Sequence, residues 1–260
     1  MKNYFAHVWR QRFFVFMLTK FEVRARYRGH LIGLGWIVLF PLLQTAVLCL
    51  LFHRVFQTDA REYAPFLLAG LVCWQFISSS LIQGAQCFLS AESYLRQQPV
   101  PLLIYPLRTT LALLLYFSVA LTLAVGVRWC LLGFDNLPVL WALLPAAVLL
   151  FVLGISAATV AGVVNVYSRD TRQLLEVGMP LLFYLTPVMY QARLLRGSRL
   201  GWLIDHNPLN VVLDLFRVPI VDGALPSPTT YGLAALTAFA AAGVAGWLLA
   251  RVQQRLVFAV

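Results

Sequence analysis

Lys20, Arg24 and Arg28 recur every four residues in KFEVRARYR, residues 20–28, so on a helix they share one face and present three cations in a row. The chemistry open to such a row is anion binding. Arginine suits a phosphate or pyrophosphate because its planar guanidinium offers a rigid fork of donors. Two readings of this face stay open on the residues alone. One is a topology anchor held by anionic head groups, at about 1 kcal/mol per basic residue near the surface; the other is a specific site for a lipid-linked phosphate. Arg26 points away from the row. The preceding FFVFML, residues 13–18, is apolar but too short to cross a bilayer, so residues 1–30 read as an interfacial amphipathic helix.

Residues for other chemistry are sparse. His7, His30, His53 and His206 are scattered along the chain, and Asp205 beside His206 lacks the further ligands a metal site needs. An integral membrane transferase is therefore disfavoured. Cys49, Cys73, Cys87 and Cys130 form no C-x-x-C pair and read as packing residues. The two lysines, Lys2 and Lys20, do not follow a glycine, so the phosphate-cradling G-x-x-x-x-G-K-[ST] loop cannot form. No apolar stretch carries a carboxylate in its interior, where a proton- or sodium-driven transporter keeps its relay. The energy source is expected outside this chain: it needs no cofactor of its own, and ATP with Mg, if they drive it, bind another subunit.

The elements around these residues follow from composition. With 61% apolar and 12% charged residues and a mean hydropathy of +0.80, the chain reads as an all-α polytopic membrane protein, one transmembrane domain over 1–260. Six spans are expected at about 31–52, 64–82, 102–127, 137–164, 174–190 and 231–250, with Pro41, Pro145, Pro180 and Pro187 inside them. The first would be roughly 33 Å long at 1.5 Å per residue, enough for the hydrocarbon core. Residues 200–221 are apolar yet broken by Asp205, His206, Pro208, Asp214, Arg217 and Pro219. They read as a re-entrant hairpin between the fifth and sixth spans, turning at Asn207 and Pro208, with Asp214 and Arg217 spaced to pair.

With the amino terminus inside, the cytoplasmic side collects 13 lysines and arginines and the external side 7, the latter including Arg128 and Arg217. Positive residues stay inside, so both termini are expected in the cytoplasm. The net charge of +10 is then topology and lipid contact, with no nucleic-acid partner. The cytoplasmic loop 83–101 reads as a short helix starting near Ser90 and ended by Pro99 and Pro101, a docking candidate. The loop NVYSRDTRQLLE reads as a salt-bridged turn into the fifth span.

The runs FEVRARYRGHLIGLGWIVLFPLLQ, FLLAGLVCWQF, RDTRQLLEVGMPLLFYLTPVMY and HNPLNVVLDLFRVPIVDG, in this order, resemble the membrane subunit of ABC-2 type exporters. The resemblance is nearest to the polysaccharide and polyol phosphate branch, with its O-antigen, capsule and teichoic acid permeases. It implies a homodimer joined to two copies of a separate ATPase subunit, in a bacterial cytoplasmic (inner) membrane. It places Glu92, Tyr94, Arg96 and Gln97 against that ATPase and Arg24, Arg26 and Arg28 on the phosphates of a lipid-linked glycan. It also implies an external gate at Asp205, Asn207, Pro208, Asp214 and Arg217. Aromatic rings stack on sugars, so Trp36, Phe40, Trp74, Phe183, Tyr184 and Tyr190 are expected along a translocation path. An exporter of drugs or lipids, or a passive channel or scramblase, is the alternative; a neighbouring reading frame for an ATPase discriminates against the passive one.

Overall fold

A computed structural model of the chain describes residues 8–27, 33–92, 100–191 and 207–259. Its helices are α1 (Arg12–Tyr27), α2 (Trp36–Phe52), α3 (Ala60–Ala85), α4 (Ile104–Leu132), α5 (Leu143–Tyr167), α6 (Thr171–Leu185), α7 (Pro208–Arg217) and α8 (Pro228–Ala259). No strand occurs among the described residues. Short 3-10 turns at Gly33–Gly35, Leu89–Ala91 and Leu137–Ala142 lead into α2, follow α3 and lead into α5.

Four segments are long and apolar enough to cross a membrane: Ala60–Ala85, Ile104–Leu132, Leu137–Tyr167 and Pro228–Val252. The other two expected spans correspond to α2 and α6, which have only 17 and 15 residues, about 25 and 22 Å. The fifth span thus ends at Leu185 and not at Tyr190. Thr186 precedes Pro187, whose ring excludes the helical region for its neighbour, and Thr186 is accordingly extended at φ −91°, ψ 137°. Pro187 lies outside the helix, and Pro145 falls in the first turn of α5, where a missing N–H costs nothing. Pro41 and Pro180 lie inside α2 and α6 as expected, joined by Pro65 in α3. The third span runs on past Val127 to Leu132, because Arg128 is buried at 5% exposure and donates to the Gly133 carbonyl instead of meeting solvent.

Helix α3 sits at the centre, packed on α2, α4, α5, α6 and α7, and α5 packs in turn on α8; α2 also lies against α4, and α6 against α5. Close approach of α3 and α5 depends on small residues, the usual device where lipid is as apolar as the side chains. The Gly84 Cα faces Ala158, a side chain at Gly154 would meet the Phe76 ring at 2.6 Å, and one at Gly162 would meet Cys87 Sγ at 2.8 Å. Buried hydroxyls bond back one turn, Ser80 to Phe76 O at 2.8 Å and Thr110 to Pro106 O at 2.7 Å, which satisfies them without a partner helix.

Candidate functional site

At the end of the bundle where α4 begins, α1 packs on α4 through Val15, Leu18 and Ile104. Lys20 and Arg24 are exposed on α1 and, with Arg12, rim a groove of about 1010 Å³ floored by Val15, Phe16, Leu107, Leu111 and Leu114. Cations above an apolar slot match a phosphate carried on lipid chains. The side chain of Arg26 and all of Arg28 lie outside the described residues. Glu22 does not face the cationic row: it approaches Arg108 of α4 at 3.7 Å.

In the loop after α3, the structure describes a 3-10 turn at Leu89–Ala91 with Glu92 exposed at its end. Tyr94, Arg96 and Gln97 lie outside the described residues. Cys87, just after α3, is buried, and burial pushes its thiol up, above the ordinary range, more than the nearby Arg108 guanidinium lowers it. The end of α3 and the start of α6 meet at Asn165, 1% exposed, which sequence reading missed. Its Nδ2 donates to the Ala85 carbonyl at 2.8 Å and its Oδ1 accepts from the Arg172 amide at 3.2 Å. The expected salt bridge in this loop is present, Arg172 Nε to Glu176 Oε1 at 2.7 Å.

In the membrane, the six aromatic residues expected on one path divide between two sides of α3. Trp36 and Phe40, both half-exposed, line a cavity of about 530 Å³ between α2, α3 and α4, with Phe76 and Phe117 behind them. Gln75, Ser79 and Tyr116 add polar groups to its wall, and Gln75 Nε2 donates to Ser79 Oγ at 3.3 Å. An exposed amide within an apolar span is costly against lipid, so its position marks a wetted or ligand-facing wall. Its signal in the sequence was the lone glutamine in the run FLLAGLVCWQF. Trp74, by contrast, is buried, edge-on to Phe183 at 5.8 Å, and Phe183 meets Tyr184 at 5.4 Å. Tyr184 is exposed, and Tyr190 donates to its carbonyl at 3.2 Å. Trp74 is thus packed away from the cavity that Trp36 and Phe40 line.

At the opposite end of the bundle, the helix break after α6 is held by donors from other elements. Arg217, at the end of α7, is 5% exposed and donates through Nη1 to Pro187 O at 2.7 Å and through Nη2 to Val188 O at 2.6 Å. Its guanidinium lies 4.0 Å over the Phe66 ring and occupies the space where a Gly70 side chain would be. Asp214, one turn earlier, adds a favourable charge. Tyr63 donates to Met189 O at 2.6 Å. Asn207 caps α7 by accepting from Leu209 N at 3.0 Å, and donates to Thr186 Oγ1 at 3.1 Å; Pro208 opens the helix. Asp205 and the first half of the expected hairpin lie outside the described residues. Charge counting set Arg217 on the external side, spaced to pair with Asp214; here it is a buried clamp, because the chain leaves the helix after Leu185 and the Pro187 and Val188 carbonyls need a donor. Beyond α7, Asn136 Nδ2 reaches the Pro219 and Ile220 carbonyls, both at 3.2 Å, while Trp129 Nε1 donates to its Oδ1 at 2.9 Å.

Among the described residues no cluster of histidine, cysteine and acidic side chains could hold a metal. The described residues thus offer a cation-rimmed apolar groove, a largely apolar cavity with a few polar groups in its wall, and a clamped helix break. Residues 14–221 match the ABC-2 type transporter family. Two O-antigen export system permease proteins RfbA of Klebsiella pneumoniae are each 24% identical to this chain over 211 residues, covering 80% of both chains. A protein of the same description from Myxococcus xanthus is 26% identical over 213 residues, again 80% of both. With the match covering most of its length and its helices suited to the membrane, the chain belongs to the ABC-2 type transporter membrane family.

Proposed function

We propose that this chain is the permease subunit of an ATP-driven exporter that carries a lipid-linked polysaccharide, O-antigen-like or related, across the inner membrane from the cytoplasmic side. The observation that carries the reading is the groove between α1 and α4, where exposed Lys20 and Arg24 stand over an apolar floor wide enough for lipid chains. The relatives named as O-antigen export permeases point the same way.

In this reading the polytopic chain crosses six times, with α2 and α6 as its short spans, α1 in the cytoplasmic interface and both termini inside. Residues 200–221 form the re-entrant hairpin. Two copies assemble as a homodimer with two copies of a separate ATPase that binds ATP and Mg, and Glu92, Tyr94, Arg96 and Gln97 lie against that subunit. The half-exposed faces of α2 and α6, with Leu50 and Leu174 outermost, supply the apolar surface that a second copy covers. Arg24, Arg26 and Arg28 hold the lipid phosphates, while Trp36, Phe40, Gln75 and Tyr184 line the path. Asp205, Asn207, Pro208, Asp214 and Arg217 belong to the outer gate.

The test is co-purification of the tagged chain from its native membranes, followed by mass spectrometry and an ATPase assay with extracted lipid-linked glycans. A stoichiometric ATPase whose turnover rises with the glycolipid is expected. Isolation without an ATPase, with ATP-independent lipid movement, overturns the reading in favour of a channel or scramblase.

A further inference from the structure

Three elements meet at one guanidinium. Arg108, in the second turn of α4, donates through Nη2 to Ser90 Oγ of the loop after α3 at 3.0 Å. Its Nε lies 3.7 Å from Glu22 Oε2 on α1, and its Cζ 5.8 Å from the Tyr105 ring. The Arg108 side chain is only 11% exposed and that of Glu22 31%, so their attraction is screened less than a surface pair would be. Ser90 in turn donates to the Cys87 carbonyl at 3.4 Å, and Phe88, Cys87 and Ala91 are buried against Leu102, Tyr105 and Val163. The loop is thus anchored on one side by apolar packing, while its polar side reaches α1 through Arg108. Helix α1 itself rests on α4 through a small apolar seam, Val15 and Leu18 on Ile104, which permits sliding more readily than a directional bond does.

We propose that Arg108 is a positioning residue that passes displacement of the loop after α3 to the interfacial helix α1, so that an event at Ser90 moves the cationic face bearing Lys20 and Arg24. The inference rests on the proposed docking of an ATPase at that loop. A fork of several donors can hold Glu22 and Ser90 together, which the single ammonium of lysine cannot do in the same geometry. Movement of the loop then shifts the carboxylate on α1 with it.

The test is hydrogen exchange on the complete transporter, the chain with its co-purified ATPase in lipid nanodiscs, with and without vanadate trapping by ATP and Mg. In the wild type, trapping is expected to alter protection in both residues 86–92 and residues 12–24. In Arg108→Gln the change in residues 86–92 is expected to persist and that in 12–24 to be lost. Ser90→Ala, which removes only the loop arm and keeps the charge pair, is expected to do the same, and covers the case in which Arg108→Gln does not assemble. Exchanging the charges, Arg108→Glu with Glu22→Arg, is expected to restore part of the response in 12–24. Unchanged coupling of the two segments in Arg108→Gln or Ser90→Ala overturns the relay while leaving the exporter reading intact. Absence of any ATPase from the preparation overturns both.

Discussion

Arg217 donates to the carbonyl of Val188 at 2.6 Å, from an element 29 residues further along the chain. The bond closes a helix end that Pro187 leaves open, and Gly70 provides the room for it. Removing the donor leaves two buried carbonyls wanting, at about 1–3 kcal/mol each. Arg217→Met is therefore expected to lower the unfolding midpoint in detergent and to impair export. Gly70→Ala is expected to reproduce both effects by displacing the guanidinium. An unchanged midpoint in either variant would show that the carbonyls find other donors.

Gln75 tests the cavity without testing the fold. Because its side chain is exposed, Gln75→Leu is expected to change stability by no more than about 0.5 kcal/mol, while slowing export where the amide meets a polar passenger. Export rates from inverted vesicles, set beside the melting midpoint, separate the two. Loss of stability equal to the loss of transport would assign Gln75 to packing.

Asn165 ties the end of α3 to the start of α6. Asn165→Leu strands the buried Ala85 carbonyl, for an expected cost of about 1–3 kcal/mol, and releases the amide of the exposed Arg172. Asn165→Asp keeps the acceptor for Arg172 but faces the Ala85 carbonyl with a second acceptor, and is expected to be at least as damaging. Thermal denaturation of both variants decides the ranking.

Cys87 lies in the turn just after α3 yet is buried, and its raised thiol pKa leaves little thiolate at pH 8. Single-cysteine protein carrying only Cys87 is expected to resist maleimide in intact membranes and to react at the free-thiol rate after denaturation in SDS. Rapid labelling of the native protein would mean that the loop opens.

Much of this was legible in the sequence. Apolar runs and their proline and charge punctuation pointed to the long apolar helices, though not to their ends, such as Leu185 of α6 and Ala259 of α8, because membrane spans announce themselves by length and composition. The cation row on α1 was readable for the same reason, a period of four on a polar face. The buried arginines were not. Arg128 and Arg217 look like loop charges, and nothing in their neighbourhood says that the Gly133, Pro187 and Val188 carbonyls will reach them. Likewise Trp74 and Trp36 are alike as residues in apolar surroundings. In a span apolar on every face, periodicity cannot tell the side that meets Phe183 from the side that meets a cavity. Asn165 and Arg108 act across elements 80 and 18 residues away, a pairing that only the folded chain reveals.

Helix α6 buries a single residue, Met179, along its 15-residue length, yet both of its ends are tied down. Asn165 grips the Arg172 amide at one end, and Arg217, Tyr63 and Asn207 hold the segment just past the other. In mechanical terms it is a beam built in at both supports and only lightly supported between them, through Met179 and Phe183. Such a beam cannot swing as a rigid rod; a push at one support must appear as bowing. Its softest point is Pro180, which lacks the N–H that would bond the Glu176 carbonyl. Stiffening that point, with Pro180→Ala, would convert bowing into load on the two supports.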